Sequence, residues 1–252
     1  MRNKIIPLTI LVSFLITSAV SAKLAVVDTG KITKILPHIQ KFYLGTAFDG
    51  AIFSSATIQE TDAAGFTTNK LGIIRFTDVL NLGITFNYNF GRHLGMYIGI
   101  DVKNIGFIEK NAGAATVKRR TYNLGVPLGI KIGNMAAKRP YVFLGGGVDA
   151  PFNYREKTFV IRDQKTKFSE WFSNRTPAIM PYVFAGLAIN GGITFKAQYY
   201  PNNFLNPNFT QDGIKPYAGY DVHLILFSLG IALPLSKKQD IVTKQVSGLN
   251  IM

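Results

Sequence analysis

Between Thr121 and Phe152 the chain alternates with the period of a β-strand rather than that of a helix. Tyr122, Leu124, Val126, Leu128, Ile130 and Ile132 fall on one side, and Asn123, Gly125, Pro127, Gly129 and Lys131 on the other. After Gly133 to Pro140 the pattern resumes, with Val142, Leu144, Val148 and Phe152 set against Tyr141, Gly145, Gly147 and Asp149. One face is continuously apolar; the other is small or polar and tolerates a lysine. Only helices and closed barrels satisfy all their backbone hydrogen bonds in lipid, so strands with an oily face and a crowded polar face predict a closed barrel. Pro127 stands mid-strand without an N–H and costs one ladder bond, and the sequence does not say how that gap is filled.

Six more segments carry strand character. The first runs from Phe42 to Phe53, with Leu44, Thr46, Phe48 and Ile52 facing one way and Gly45, Ala47, Asp49 and Ala51 the other. Ser54 to Leu80 is a long connection whose part Leu71 to Thr77 extends the next strand beyond the membrane. Asn81 to Phe90 and Met96 to about Phe107 follow, then Pro181 to Ile189, Ile193 to Tyr200 and Tyr220 to Leu233. Together with the opening pair they predict an all-β fold, an eight-stranded antiparallel transmembrane up-and-down β-barrel over 41–233.

The connections give a separate reason. Gly91 to Gly95, Gly133 to Pro140 and Asn190 to Gly192 are short, whereas the connections between them in order are long and polar. Antiparallel strands put alternate connections at opposite ends, so short periplasmic turns alternate with long outer loops and both termini fall in the periplasm. Phe42, Tyr43, Phe90, Tyr97, Tyr141, Tyr182, Tyr199, Tyr200 and Tyr217 gather near strand ends, as an interfacial girdle requires. A soluble barrel also alternates, but its outer face is charged; here the non-apolar face is mostly Gly, Ala, Thr and Asn.

The chain opens like a secretory signal. Arg2 and Lys4 precede an apolar run, Ile5 to Val20, and Val20-Ser21-Ala22 suits cleavage before Lys23. The expected organisation is a signal peptide over 1–22, a periplasmic lead-in over 23–40, the barrel over 41–233 and a periplasmic tail over 234–252. A net charge of +14 points to anionic partners, and behind an export signal nucleic acid is the poorest of these. Lipopolysaccharide head groups are the nearest counter-charge. With no cysteine in the chain there is neither a disulfide framework nor thiol chemistry.

The run Tyr122-Asn123-Leu124-Gly125-Val126-Pro127-Leu128-Gly129-Ile130-Lys131 resembles a strand of the small outer-membrane β-barrel proteins of Bacteroidota that include PorT-like proteins. Tyr141 to Gly147 is similar to that family's glycine-rich fifth strand, and Gly192 to Tyr200 to its seventh. The resemblance covers about Lys41 to Leu233. It implies an eight-stranded outer-membrane barrel, with some members serving secretion and gliding machinery. Such barrels usually end on an aromatic residue, whereas Leu233 is followed by a tail with Lys237, Lys238 and Lys244.

Six ionisable residues fall on the inner face: Asp49, Asp101, Lys103, Lys131, Asp149 and Lys196. Eight strands leave room for little beyond side chains, so a mutually neutralising plug is expected, with a narrow small-solute channel as the alternative. A lipid-modifying enzyme needs a histidine; of His38, His93 and His223, the last stands near the outer end of its strand beside Asp221, yet no serine nucleophile is marked by spacing. No metal-ligand spacing and no cofactor motif appear. The basic runs Lys118-Arg119-Arg120 and Arg155 to Lys167 are candidates for lipopolysaccharide phosphates or a protein. In the long loop Asn153 to Met180, the residues Lys165, Lys167, Phe168, Trp171 and Phe172 are the candidate partner surface. The expected role is structural or interactive, in a secretion or envelope assembly, without catalysis.

Overall fold

The computed structural model describes residues 39–77, 81–110, 115–136, 140–159, 165–189 and 191–235. The signal segment, nearly all of the lead-in, His38 and the tail lysines lie outside the described residues. Among the described residues eleven strands form: β1 (Phe42–Thr61), β2 (Thr67–Leu71), β3 (Arg75–Thr77), β4 (Leu82–Asn89), β5 (Leu94–Lys110), β6 (Thr116–Gly133), β7 (Tyr141–Phe159), β8 (Lys165–Trp171), β9 (Met180–Ala188), β10 (Ile193–Tyr200) and β11 (Tyr220–Ile231). The strands β1, β4, β5, β6, β7, β9, β10 and β11 pair antiparallel in that order, and β11 returns to β1 between Phe48↔Ile231 and Glu60↔Tyr220. The fold is an eight-stranded antiparallel up-and-down β-barrel. Past β11 the chain still holds β1: Leu235 N–H donates to the Leu44 carbonyl at 2.8 Å and Pro234 bridges Gly45.

The alternation sorts the side chains. Leu124, Val126, Leu128, Ile130 and Ile132 stand on the outside of β6, Leu128 at 50 % exposure, while Asn123 and Lys131 on the other face are buried, Lys131 at 1 %. Leu82, Ile84 and Phe86 of β4, Ile98 and Ile100 of β5, and Phe227 and Leu229 of β11 continue the apolar exterior around the ring. Pro127 lies where the β5–β6 ladder is interrupted: pairing runs to Ile98↔Leu128 and resumes at Asp101↔Gly125 in the same register. Its ring fills the space beside Gly99, where a Cβ would come within 3.1 Å of Pro127 Cγ. At the β9–β10 hairpin Gly191 and Gly192 both take φ of 90°, the left-handed region that the turn needs.

Ile52 is a correction. Expected on the lipid side with Leu44 and Phe48, it is buried inside, and Phe53 faces out instead. The β1–β11 register shifts between Phe48 and Ala51, and the irregularity reverses the alternation beyond it.

Two expected loops are walls. β1 has 20 residues, β5 17, β6 18 and β7 19, against about 9–11 needed to cross a bilayer. The excess stands at the long-loop end. The described part of the first, Ser54 to Thr77, is a hairpin arm: β1 turns at Asp62, whose Oδ1 accepts the N–H groups of Ala64 and Phe66 at 2.9 Å each, and β2 and β3 return along β1. Leu71 to Thr77 thus continues the line of β4. Asn153 to Met180 likewise begins with β7 running on to Phe159, paired with β8 from Asn153↔Trp171 to Phe159↔Lys165.

Candidate functional site

The barrel interior has two halves. In the half toward the long connections an apolar layer crosses it, where Ile105, Phe107, Tyr200, Phe204, Leu205, Val222 and Leu224 are each fully buried. Phe204 and Leu205 come from the connection between β10 and β11, which dips inward. Phe204 N–H donates to the Val222 carbonyl at 2.8 Å, and the Asn203 side chain accepts from Leu205 and Val222 N–H at 3.0 Å each. The Phe204 ring meets Phe107 edge-on at 5.5 Å. Sequence reading missed this layer; its one signal is the pair Phe204-Leu205 inside a stretch otherwise rich in Asn and Pro.

The other half holds a cavity of about 140 Å³ lined by Tyr43, Asp49, Asn87, Tyr97, Lys131 and Lys196, among others. All six predicted ionisable residues point inward. Lys196 Nζ lies 2.6 Å from Asp49. Lys103 Nζ lies 2.9 Å from Asp149 and 3.5 Å from Asp101, and 3.9 Å over the Tyr182 ring. The Tyr200 hydroxyl donates to Asp149 at 2.5 Å. Gly125 makes room for this group: a Cβ there would sit 2.1 Å from Asp101 Oδ1 and 2.6 Å from Asp149 Oδ1. Lys131 stands apart near the short-turn end. It donates to the Tyr43 hydroxyl and to Asn87 Oδ1, each at 3.0 Å, and no carboxylate among the described residues is within ion-pair reach.

A second charge network, not anticipated from the sequence, ties the walls outside the lipid belt. Arg119 of β6 pairs with fully buried Glu109 of β5 and, at 3.3 Å, with Glu156 of β7. Lys70 of β2 lies 2.6 Å from Glu109 and 2.9 Å from Glu60 of β1, and Tyr154 donates to Glu156 at 2.7 Å. Burial opposes the charge on Lys70, but its hydrogen bonds to Glu109 and Glu60 prevail and raise its pKa; the Lys70 hydrogen bond lowers that of Glu60. The basic run Lys118-Arg119-Arg120 is therefore divided, with Arg119 turned into the network and its neighbours turned out.

The five residues of the expected partner loop do not form one face. Lys165, Lys167 and Trp171 occupy alternate positions of β8; Phe168 lies on the opposite face, beside Tyr154 and the Arg175 guanidinium. Trp171 is 65 % exposed and stacks on Phe152 at 6.0 Å, and Phe172 follows at a positive φ of 50°. His223 Nε2 is 3.2 Å from Asp221, its ring stacked on Tyr199, and Thr57 is its cross-strand neighbour. His93 is exposed in a turn. Among the described residues no group of three His, Cys, Asp or Glu is arranged to hold a metal.

A closed ring of strands with an apolar exterior, an apolar layer across the half toward the long connections and interior charges that are mostly paired defines a small membrane-type β-barrel. No protein-family model matches the chain, and neither does any curated protein sequence. Among solved structures it is similar to Ail, the attachment invasion locus protein of Yersinia pestis, at 11 % identity and a TM-score of 0.34 over 76 % of this chain and 99 % of that one. Neisserial surface protein A matches at 11 % identity and a TM-score of 0.35, covering 78 % and 98 %. CarO of Acinetobacter baumannii matches at 12 % and 0.33, covering 73 % and 97 %. At these values the likeness assigns no role.

Proposed function

We propose that this chain is an exported, integral outer-membrane barrel whose role is structural or interactive, within an envelope or secretion assembly, and that it neither transports nor catalyses. The observation that carries the reading is the filled outer half: a solute entering the cavity meets Phe107, Tyr200, Phe204 and Leu205 with no exposed surface among them. The apolar belt supports residence in a bilayer, and the stiff outer walls with their aromatic and basic residues support contact with lipopolysaccharide or an envelope protein. The signal segment, the periplasmic termini and the PorT-like, Bacteroidota affiliation belong to the same proposal. Purifying the tagged chain from outer membranes in mild detergent tests it. Stoichiometric protein partners support the assembly role, and a monomer without them counts against it.

A narrow channel is the second reading, favoured by Lys131, a buried cation facing the cavity without a carboxylate. It requires conductance in planar bilayers that changes in Lys131→Met or Lys196→Met; a folded, silent barrel removes it.

A further inference from the structure

Three adjacent strands carry their outward cations in rows. Pairing sets Lys118 of β6 opposite Lys157 of β7, and Lys157 opposite Lys167 of β8. One step nearer the barrel Arg120 is opposite Arg155, and one step farther out Lys165 is opposite Phe159. The Phe159 ring has the ammonium groups of Lys118, Lys157 and Lys165 at 5.3, 4.7 and 5.6 Å. The carboxylates of these strands lie elsewhere: Asp149 is buried inside the barrel, and Glu156 and Glu170 occupy the alternate positions, where Glu156 is held by Arg119 and Tyr154. Among the described residues of β6, β7 and β8, this face has six cations and no acid.

Like charges directly opposite across a ladder repel. Lys157 registers it: the hydrogen bond with Lys165, then slight burial and the charges of Lys165, Lys167 and Lys118 push its pKa down to about 8. A surface built this way is relieved by a bound polyanion.

The position of the rows says which. Along β6 the same face reads Leu128, Val126, Leu124, Tyr122, Arg120, Lys118. The Tyr122 ring has Arg155 and Arg120 guanidinium groups at 5.2 and 5.8 Å. At about 3.3 Å per residue, the arginine row stands roughly 7 Å and the lysine row roughly 13 Å along the strand beyond an aromatic at the edge of the apolar belt. That is where head-group phosphates lie. We propose that this face binds the phosphates of the glycolipid surrounding the long-loop end of the barrel, Arg120 and Arg155 by forked hydrogen bonds and the four lysines as point charges. The inference rests on the outer-membrane reading, under which that glycolipid is phosphorylated lipopolysaccharide.

The test measures binding of the detergent-solubilised barrel to lipopolysaccharide, native or dephosphorylated. The variant is Lys118→Gln, Arg120→Gln, Arg155→Gln and Lys157→Gln together; a control removes the exposed charges of Lys41, Arg92, Lys110 and Lys215 instead. Each lost cation near a lipid surface lowers affinity about fivefold, so the variant binds native lipopolysaccharide several hundred-fold more weakly. The control stays within tenfold of wild type, and dephosphorylated lipid binds wild type as weakly as the variant binds native lipid. Gel mobility before and after heating verifies that each protein is folded. A folded variant within twofold of wild type, or an equal loss in the control, overturns the proposal. Binding to a soluble sulfated polysaccharide without binding to lipopolysaccharide overturns the lipid assignment. Failure of the outer-membrane reading is seen separately, as a wild-type chain that does not fractionate with outer membranes.

Discussion

Asp149→Asn tests the interior most sharply. The Asp149 side chain is fully buried, accepts a hydrogen bond from the Tyr200 hydroxyl at 2.5 Å and faces Lys103 Nζ at 2.9 Å. Neutralising it leaves Lys103, itself buried, with Asp101 at 3.5 Å as its remaining carboxylate. Removing one member of a buried pair strands a charge and costs roughly 3–5 kcal/mol. The less buried pair Lys196–Asp49 is the internal comparison, and Lys196→Met should cost about 1 kcal/mol or less. Replacing the whole group, Lys103→Met with Asp149→Leu and Asp101→Asn, leaves no stranded charge and should restore most of the loss, because desolvation rather than attraction dominates. Urea unfolding in phospholipid vesicles, followed by gel mobility of the folded barrel and by the fluorescence of the single tryptophan, reads all three. The reasoning fails if Asp149→Asn lies within about 1 kcal/mol of wild type, or if the triple variant is as damaged as the single one.

The remaining predictions concern packing, lipid, seal and pH. Gly125→Val forces a side chain into Asp101, Asp149 and Lys103; it should destabilise by about 1–3 kcal/mol or more in the same unfolding assay. Leu128→Arg on the outer belt should cost about 2–4 kcal/mol in bilayers, whereas a water-facing leucine would be replaced at little cost. The wild-type barrel should give no conductance steps in planar bilayers, and Phe107→Ala with Phe204→Ala should give them. Lys157 releases its proton near pH 8 when folded and near its ordinary 10.5 when unfolded. The folded pKa is the lower one, so the β7–β8 hairpin gains stability as pH rises from about 8 to about 10.5 and gains nothing below. Hydrogen exchange or limited proteolysis of the hairpin against pH checks this, and a loss over that range would contradict it.

The lipid-crossing part of the fold is legible because lipid allows so little. The strand Ile193 to Tyr200 appears with the expected ends, since an oily face against a small or polar one has no other stable arrangement in a closed wall. Lys103 and Asp149 could be placed on the inner face by alternation, but their pairing depends on the stagger between β5, β6 and β7. Ile52 escapes because a register shift is a property of two strands. β2 and β8 escape for another reason: they stand in water, so Thr67 to Leu71 and Lys165 to Trp171 have no need of an apolar face. The Arg119–Glu109 pair is hidden too, since three consecutive basic residues look alike until a strand sends the middle one inward.

The length of β7 bears on how anything reaches this molecule. Nineteen residues at about 3.3 Å each, leaning at about 45°, rise roughly 45 Å, of which an apolar band takes roughly 25 Å. The rest is a collar of about 20 Å, stapled across five strands by Lys70, Glu109, Arg119 and their neighbours. Under the proposed interaction role, a partner would dock on a surface held in shape by these pairs and would lose little ordering entropy. Recognition at such a collar depends on matching contour and spacing, so a one-residue slip in a wall would change partners more than the loss of any single loop charge.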